Sequence, residues 1–247
     1  MLQIASLAFL LAACWVGREL IARSPKVAVM TTAGIFSAMA FAPAGAATES
    51  ATAQPRSQAQ NYYEALSPNE LKTYTSLLRA EGKKVSGSVK TQDITLFRWQ
   101  RTPDLTLESD HVSFQLNSRG ELAGFARMIP SAADGPLPEQ EKAEQIARAF
   151  LLAYAPDLLP VMNIQWIRPH TDERYTDGQK QYSINGMKVK CRNSADGTYF
   201  WVIVGSDNSV IVFERDIEWD FIRAGRQTEK WLHDDWLRKE KISFTKN

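Results

Sequence analysis

The stretch "FWVIVGSDNSVIVFERD", Phe200–Asp216, sets two apolar runs, Phe200–Val204 and Val210–Phe213, on either side of a short polar cluster. Residues 112–128, "VSFQLNSRGELAGFARM", fall into register with it on a shift of 88 positions. Phe114–Gln115–Leu116 then lies over Val202–Ile203–Val204, Asn117–Gly120 over Gly205–Asn208, and Phe125–Arg127 over Phe213–Arg215. Strand-length segments, alternating at 112–117 and continuously apolar at 200–204 and 210–213, flank a turn that tolerates positive φ and predict an antiparallel hairpin, used twice in the chain.

Working outward from the hairpins, the residues before each one predict a helix. "SPNELKTYTSLLRAEG" (67–82) has Ser67 as N-cap, Pro68 at the first helical position, Glu70 to complete the cap and Gly82 as the stop. "EQEKAEQIARAFLLAY" (139–154) carries acidic residues in its first turn, a stripe of Ala143, Ile146, Ala147, Phe150, Leu151 and Tyr154, and Pro156 as terminator. Alternating segments at 93–100, 105–117 and 121–129 supply the first meander. Segments at 163–170, 180–193, 198–205 and 209–219 supply the second. The expected fold class is α+β: two helix-plus-antiparallel-meander modules, a duplication with a C-terminal helix, preceded by an apolar export segment.

The expected boundaries follow from composition. Residues 1–46 form a targeting segment, 47–66 ("ATESATAQPRSQAQNYYEAL") a flexible tether and 67–130 the first module. Residues 131–138 form a Pro- and Gly-bearing linker, 139–219 the second module and 220–247 a C-terminal helical extension. In that extension Trp231, Leu232, Trp236 and Ile222 are expected to pack on the second sheet.

The front end reads as an address. "VAVMTTAGIFSAMAFAPAGAA" (27–47) follows Arg23 and Lys26 with an apolar run, Pro43 and small residues suited to a signal peptidase. This predicts cleavage near Ala46 or Ala47 and a periplasmic location. Two alternatives compete with it: a lipobox in "LAAC" (11–14) that lipidates Cys14, and an uncleaved membrane anchor built on residues 2–17. A start codon placed too far upstream would also account for the doubled apolar front.

The chain has 29 basic and 28 acidic residues. The balance stays near neutral when residues 1–46 are removed, which leaves no electrostatic case for nucleic acid or an anionic membrane surface. Cleavage also leaves Cys191 as the sole cysteine, so a packed core rather than a disulfide holds the chain.

Candidates for chemistry are few. Cys191, with His170 or His233 as base, is the thiol candidate, but its alternation with Met187 and Val189 places it on an apolar face. Lys188, Lys190 and Arg192 share the opposite face, a cationic strip for an acidic partner. Glu214, Asp216 and Glu218 alternate, which predicts one acidic face paired across strands with that strip. As an acid pair for glycoside hydrolysis they would need a cleft. His233, Asp234 and Asp235 are consecutive on a predicted helix and point in different directions, so they make no metal site. Tyr199, Arg223, Arg226, Trp231 and Trp236 belong to an aromatic and cationic segment whose composition suits a protein interface.

"EQEKAEQIARAFLLAY" and "TYFWVIVGSDNSVIVFERD" resemble the opening helix and closing hairpin of PepSY domains and of the related YcdB-type domains of exported bacterial proteins. The resemblance covers about 80 residues of the second half and, more loosely, the first. It implies a non-catalytic envelope module that inhibits or binds other proteins; the residues themselves suggest no cofactor and no metal. The expected function is thus an exported, non-enzymatic binding protein of the inhibitor or immunity type, whose partner is another envelope or secreted protein. The alternatives are a hydrolase using Cys191 or the Glu214, Asp216 and Glu218 carboxylates, and a structural component of envelope assembly.

Overall fold

Leu78, Ala80, Gly82 and Lys84 decide what the segment after Ser67 becomes. In the computed structural model, which describes residues 45–86, 90–130, 135–176, 179–222 and 224–246, these four face one side of strand β1 (Ser76–Ser86). They pair with Arg98, Leu96, Ile94 and Gln92 of β2 (Lys90–Gln100). The helix expected over 67–82 is therefore a correction. Its capping signals make only a turn, in which Glu70 N donates to Ser67 O (3.1 Å) and Tyr74 N to Glu70 O (2.9 Å). Pairing along the whole length of β2 then outweighs a local preference worth tenths of a kcal/mol per residue.

The helix of the first half lies earlier. Helix α1 spans Gly45–Leu66, where a flexible tether was expected. Ala59 and Tyr63 are buried, Tyr62 and Leu66 partly so, at the three-and-four spacing of an amphipathic helix. The 88-residue shift that relates the hairpins places these four over Ala147, Phe150, Leu151 and Tyr154 of helix α2 (Gln140–Tyr154).

Two four-stranded meanders follow the helices. The first is β1–β2–β3 (His111–Asn117)–β4 (Leu122–Met128). The second is β5 (Met162–Thr176), β6 (Gln179–Asn193), β7 (Tyr199–Gly205) and β8 (Val210–Ile217). The strand order β1-β2-β3-β4-β8-β7-β6-β5, with the short strand β11 (Thr245–Lys246) added outside β1, shows that the final strands of the two meanders pair with each other. Phe125 faces Phe213, its own equivalent 88 positions on, while Gly124 faces Glu214 and Ala126 faces Val212. Such reciprocal contacts are those of a two-fold axis between β4 and β8. The detail extends to the turns, where Gly120 (φ 77°) and Asn208 (φ 59°) occupy equivalent left-handed positions. Register slips fall at Gln115/Leu116 and at Ile203/Val204.

The expected α+β pair of separate modules is corrected accordingly. The described residues form mainly one nine-stranded antiparallel sheet with only three helices, and Pro43–Asn247 is one compact unit. An isolated meander would leave the backbone of its last strand unpaired. Pairing β4 with β8 satisfies both edges and merges two apolar faces into one core.

Both helices lie on that apolar face. The Phe150 ring is 6.5 Å from Phe125 and 5.3 Å from Phe213, and Tyr62 meets Tyr154 at 6.1 Å. The opposite face of the sheet is polar: Arg98, Gln100, His111, Ser113 and Gln115 are all buried there. What buries them is the C-terminal arm. After β8 the chain forms a ribbon of β9 (Trp219–Asp220) and β10 (Gly225–Arg226), then crosses the polar side as Trp231 and Leu232. It continues through α3 (Asp234–Lys239) and ends as β11 (Thr245–Lys246) against β1. The extension expected to be helical on the second sheet is thus mostly non-helical and packs on the first. Ile222, expected to be buried, is 97% exposed.

Two glycines admit the arm. A Cβ at Gly82 would stand 2.4 Å from the Trp231 ring, and one at Gly124 would stand 2.8 Å from Leu232 Cδ1. Neither indole nor sheet backbone can yield that distance. Gly82→Ala is expected to lower stability by about 1–3 kcal/mol in urea denaturation through overpacking. Gly120→Asn, whose Cβ would meet only the Gln58 side chain at an ordinary 3.6 Å and which is matched by Asn208 in the second hairpin, is expected to change it little.

Candidate functional site: a charged cavity on the polar face

The arm crosses the polar face toward β1, so it covers the first meander more fully than the second. A cavity of about 680 Å³ remains under the arm where β4 of the first meander meets β8 and β7 of the second. Its floor is Ala126 and Met128 of β4, Val212 of β8 and Ile203 of β7. Lys188, Trp201, His170 and Asp172 line the side toward β5 and β6. The β9–β10 ribbon and Lys230–Asp235 form the opposing wall.

Its charges are arranged in sets. Glu214 is buried, and Arg226 Nη1 donates to its Oε1 at 2.8 Å while His233 Nε2 lies 3.3 Å from Oε2. Burial alone would raise the Glu214 carboxyl, but the charges and hydrogen bonds of Arg226 and His233 outweigh it and hold the group well below the usual carboxylate range. Arg226 is itself held by the carbonyls of Thr228 (3.1 Å) and Glu229 (2.7 Å), so the guanidinium is preset. Deeper under the arm, Asp234 accepts from Arg98 Nη1 (2.7 Å), Arg98 Nη2 (3.3 Å) and the Glu108 amide (2.6 Å). Both members of this ion pair are almost wholly buried.

Lys188 differs from these groups. Its Nζ lies 3.7 Å from the centre of the Trp201 ring, and no carboxylate among the described residues is within ion-pair distance. Burial lowers its pKa from the free-lysine 10.5 to about 8, against a partial counter-effect from Glu214. Lys84 of β1, also on the polar face, is fully buried, donates to the Arg215 carbonyl and is likewise lowered by burial to about 8.

The sequence-derived strip of Lys188, Lys190 and Arg192 does occupy one side of β6, yet the three serve different surroundings. Lys188 faces the cavity. Lys190 sits among the rings of Tyr199 (4.7 Å), Trp166 (5.5 Å) and Trp219 (5.6 Å), and burial lowers its pKa. Arg192 is exposed beside the β6–β7 turn, with Nε donating to Gly197 O at 3.4 Å. The expected charge ladder to Glu214, Asp216 and Glu218 is absent, because β7 lies between β6 and β8. A bulge at Arg215–Asp216, with Asp216 at φ 57°, also breaks the alternation, and Asp216 turns to Arg215 at 3.4 Å.

Trp231 is a core residue rather than an interface residue, with Nε1 donating to Lys83 O at 3.2 Å, and Trp236 packs on it at 5.2 Å. Tyr199 and Arg226 take part in the site region, and Arg223 lies outside the described residues. Cys191 is buried on the apolar side beneath α2, its thiol pushed up to about 12 by burial, whereas His170 and His233 lie on the polar side. The sheet itself separates thiol from imidazole. No group of metal-ligating side chains occurs among the described residues.

Sequence reasoning missed Arg98 with Asp234 and Lys84 with Arg215. The visible signal was a cation inside an apolar strand, Arg98 in "DITLFRWQ", which demands a buried counter-charge without saying where it is. Comparison of the chain with family models, with curated proteins and with solved structures finds no match.

Asp234→Asn is expected to cost about 3–5 kcal/mol of stability, because it strands the Arg98 charge. The double variant Arg98→Met/Asp234→Leu is expected to recover part of that loss, both read from chemical denaturation. The lysines set an alkaline profile. Between about pH 8 and 10.5 the unfolded chain still holds protons that folded Lys84 and Lys188 have released, so stability rises with pH across that window. Denaturation midpoints measured from pH 7 to 10 should show this rise in the wild type and a flatter curve in Lys84→Gln/Lys188→Gln.

Proposed function

We propose that the chain is an exported, non-enzymatic binding protein of the bacterial envelope, of the inhibitor or immunity type, which engages another protein through the tip of the β9–β10 ribbon. The observation that carries this reading is the exposure of Phe221 and Ile222, at 72% and 97%, on a two-stranded ribbon beside the charged cavity. Large apolar side chains displayed together at a fixed tip are costly in water unless a partner covers them. The tip is built to hold its shape. Tyr199 packs edge-on to Phe221 at 6.3 Å, and Ile222 N donates to Asp220 Oδ1 at 2.8 Å. Trp219 is partly exposed at the base of the ribbon, and aromatic side chains of this kind anchor protein interfaces.

The state of the polar side chains supports binding over turnover. Glu214 is held ionised by two partners and so is a poor proton donor, and Cys191 is held as a thiol across the sheet from either histidine. The apolar run at 27–47 and the resemblance to PepSY domains support an envelope role.

The test is capture from envelope extract by the tagged chain, with captured proteins identified by mass spectrometry. A specific partner is expected with the wild type and with Arg119→Ala, and at least tenfold less of it with Phe221→Ser/Ile222→Asp. Undiminished capture by the tip variant would overturn the reading.

A further inference from the structure

We propose that the cavity on the polar face is a binding site for a small organic carboxylate, its apolar body lying on the floor of Ala126, Met128, Ile203 and Val212 and its anionic head meeting Lys188. This goes beyond the protein-binding reading and does not depend on it, since the ribbon tip and the cavity interior are different surfaces.

Three observations converge on that ligand class. The cavity, at about 680 Å³, falls within the range of small-molecule sites. Its floor comes from three neighbouring strands, β4, β8 and β7, whose pairing fixes Ala126 opposite Val212 and Val212 opposite Ile203. An apolar body placed there would lie on a rigid sheet and bring no ordering cost to the protein.

The charge pattern then selects the head. Five carboxylates line the cavity, and three of them are engaged: Glu214 by Arg226 and His233, Asp234 by Arg98, and Glu108 by Arg238 at 2.8 Å, while Asp172 and Asp235 stand elsewhere on the lining and form no ion pair with Lys188. Lys188 is a cation on the inner lining whose Nζ lies against the Trp201 indole and forms no ion pair among the described residues. A partly buried ammonium with no carboxylate at ion-pair distance is costly, and an anion at that point would lower the cost. Glu214 lies close enough to influence Lys188, and its fixed negative charge disfavours a dianion. A lone lysine also lacks the bidentate fork that phosphate recognition favours. A single negative charge on an apolar body is the chemistry that fits.

Calorimetric titration of the purified full chain with octanoate, octanol and octylamine tests this at pH 7. Octanoate is expected to saturate one site at least tenfold more tightly than either of the others. Lys188→Gln should erase that preference, Lys188→Arg should keep it, and Ala126→Phe, which fills the floor, should abolish binding. The acid-versus-alcohol comparison needs only the wild-type chain, so it holds even if a variant fails to fold. Equal affinity for octanoate and octanol, absence of saturable octanoate binding, or an unchanged preference in folded Lys188→Gln would each overturn the proposal.

Discussion

Strands β4 and β8 meet at Phe125 and Phe213, and the antiparallel pairing there joins the two halves of the chain. Each half alone is a helix over a four-stranded meander with an open edge. Once the edges pair, Phe150 can touch both Phe125 and Phe213, and the aromatic residues of the two halves become one continuous layer beneath the helices. The same pairing creates an unbroken second face. That face carries charges and amides, which a small meander could not bury on both sides.

The C-terminal arm resolves the difficulty of that polar face. It lays Trp231 and Leu232 over Gly82 and Gly124 and supplies Asp234 to Arg98. A buried ion pair of this type adds little net stability, yet it penalises any arrangement that leaves Arg98 alone. We infer that it serves mainly to place the arm in one register. Because the arm runs from β8 toward β1, it covers β1 to β3 and leaves the cavity over the β4–β8 junction and the strands beyond it. The asymmetry between two similar halves thus arises from the tail and not from the repeats.

How much of this was legible in the sequence depends on the range of the interaction concerned. The two hairpins could be read because alternation and turn chemistry act over a few residues: Gly120 and Asn208 sit where left-handed dihedrals are required. Helix α2 was legible for the same reason. The segment from Ser67 to Gly82 misled because its cap residues are real local signals, satisfied by one turn before pairing with β2 takes over. Helix α1 was visible in principle, since the shift of 88 positions that aligns the hairpins also sets Ala59, Tyr62, Tyr63 and Leu66 over the α2 stripe. The polar composition of 47–60 concealed it. Of the site, the sidedness of Lys188 against Cys191 was readable from alternation. The partners of Glu214 were not, because β7 intervenes and the bulge at Asp216 rotates the strand.

The sequence by itself determined the hairpins, the second helix and the apolar character of Cys191, since each rests on spacing within a few residues. The tertiary structure alone decided that the halves share a sheet, that the arm crosses toward β1, and that Arg98 meets Asp234. Those outcomes turn on strand edges and buried charges finding partners more than eighty positions away, and no local pattern encodes which partner will be in reach.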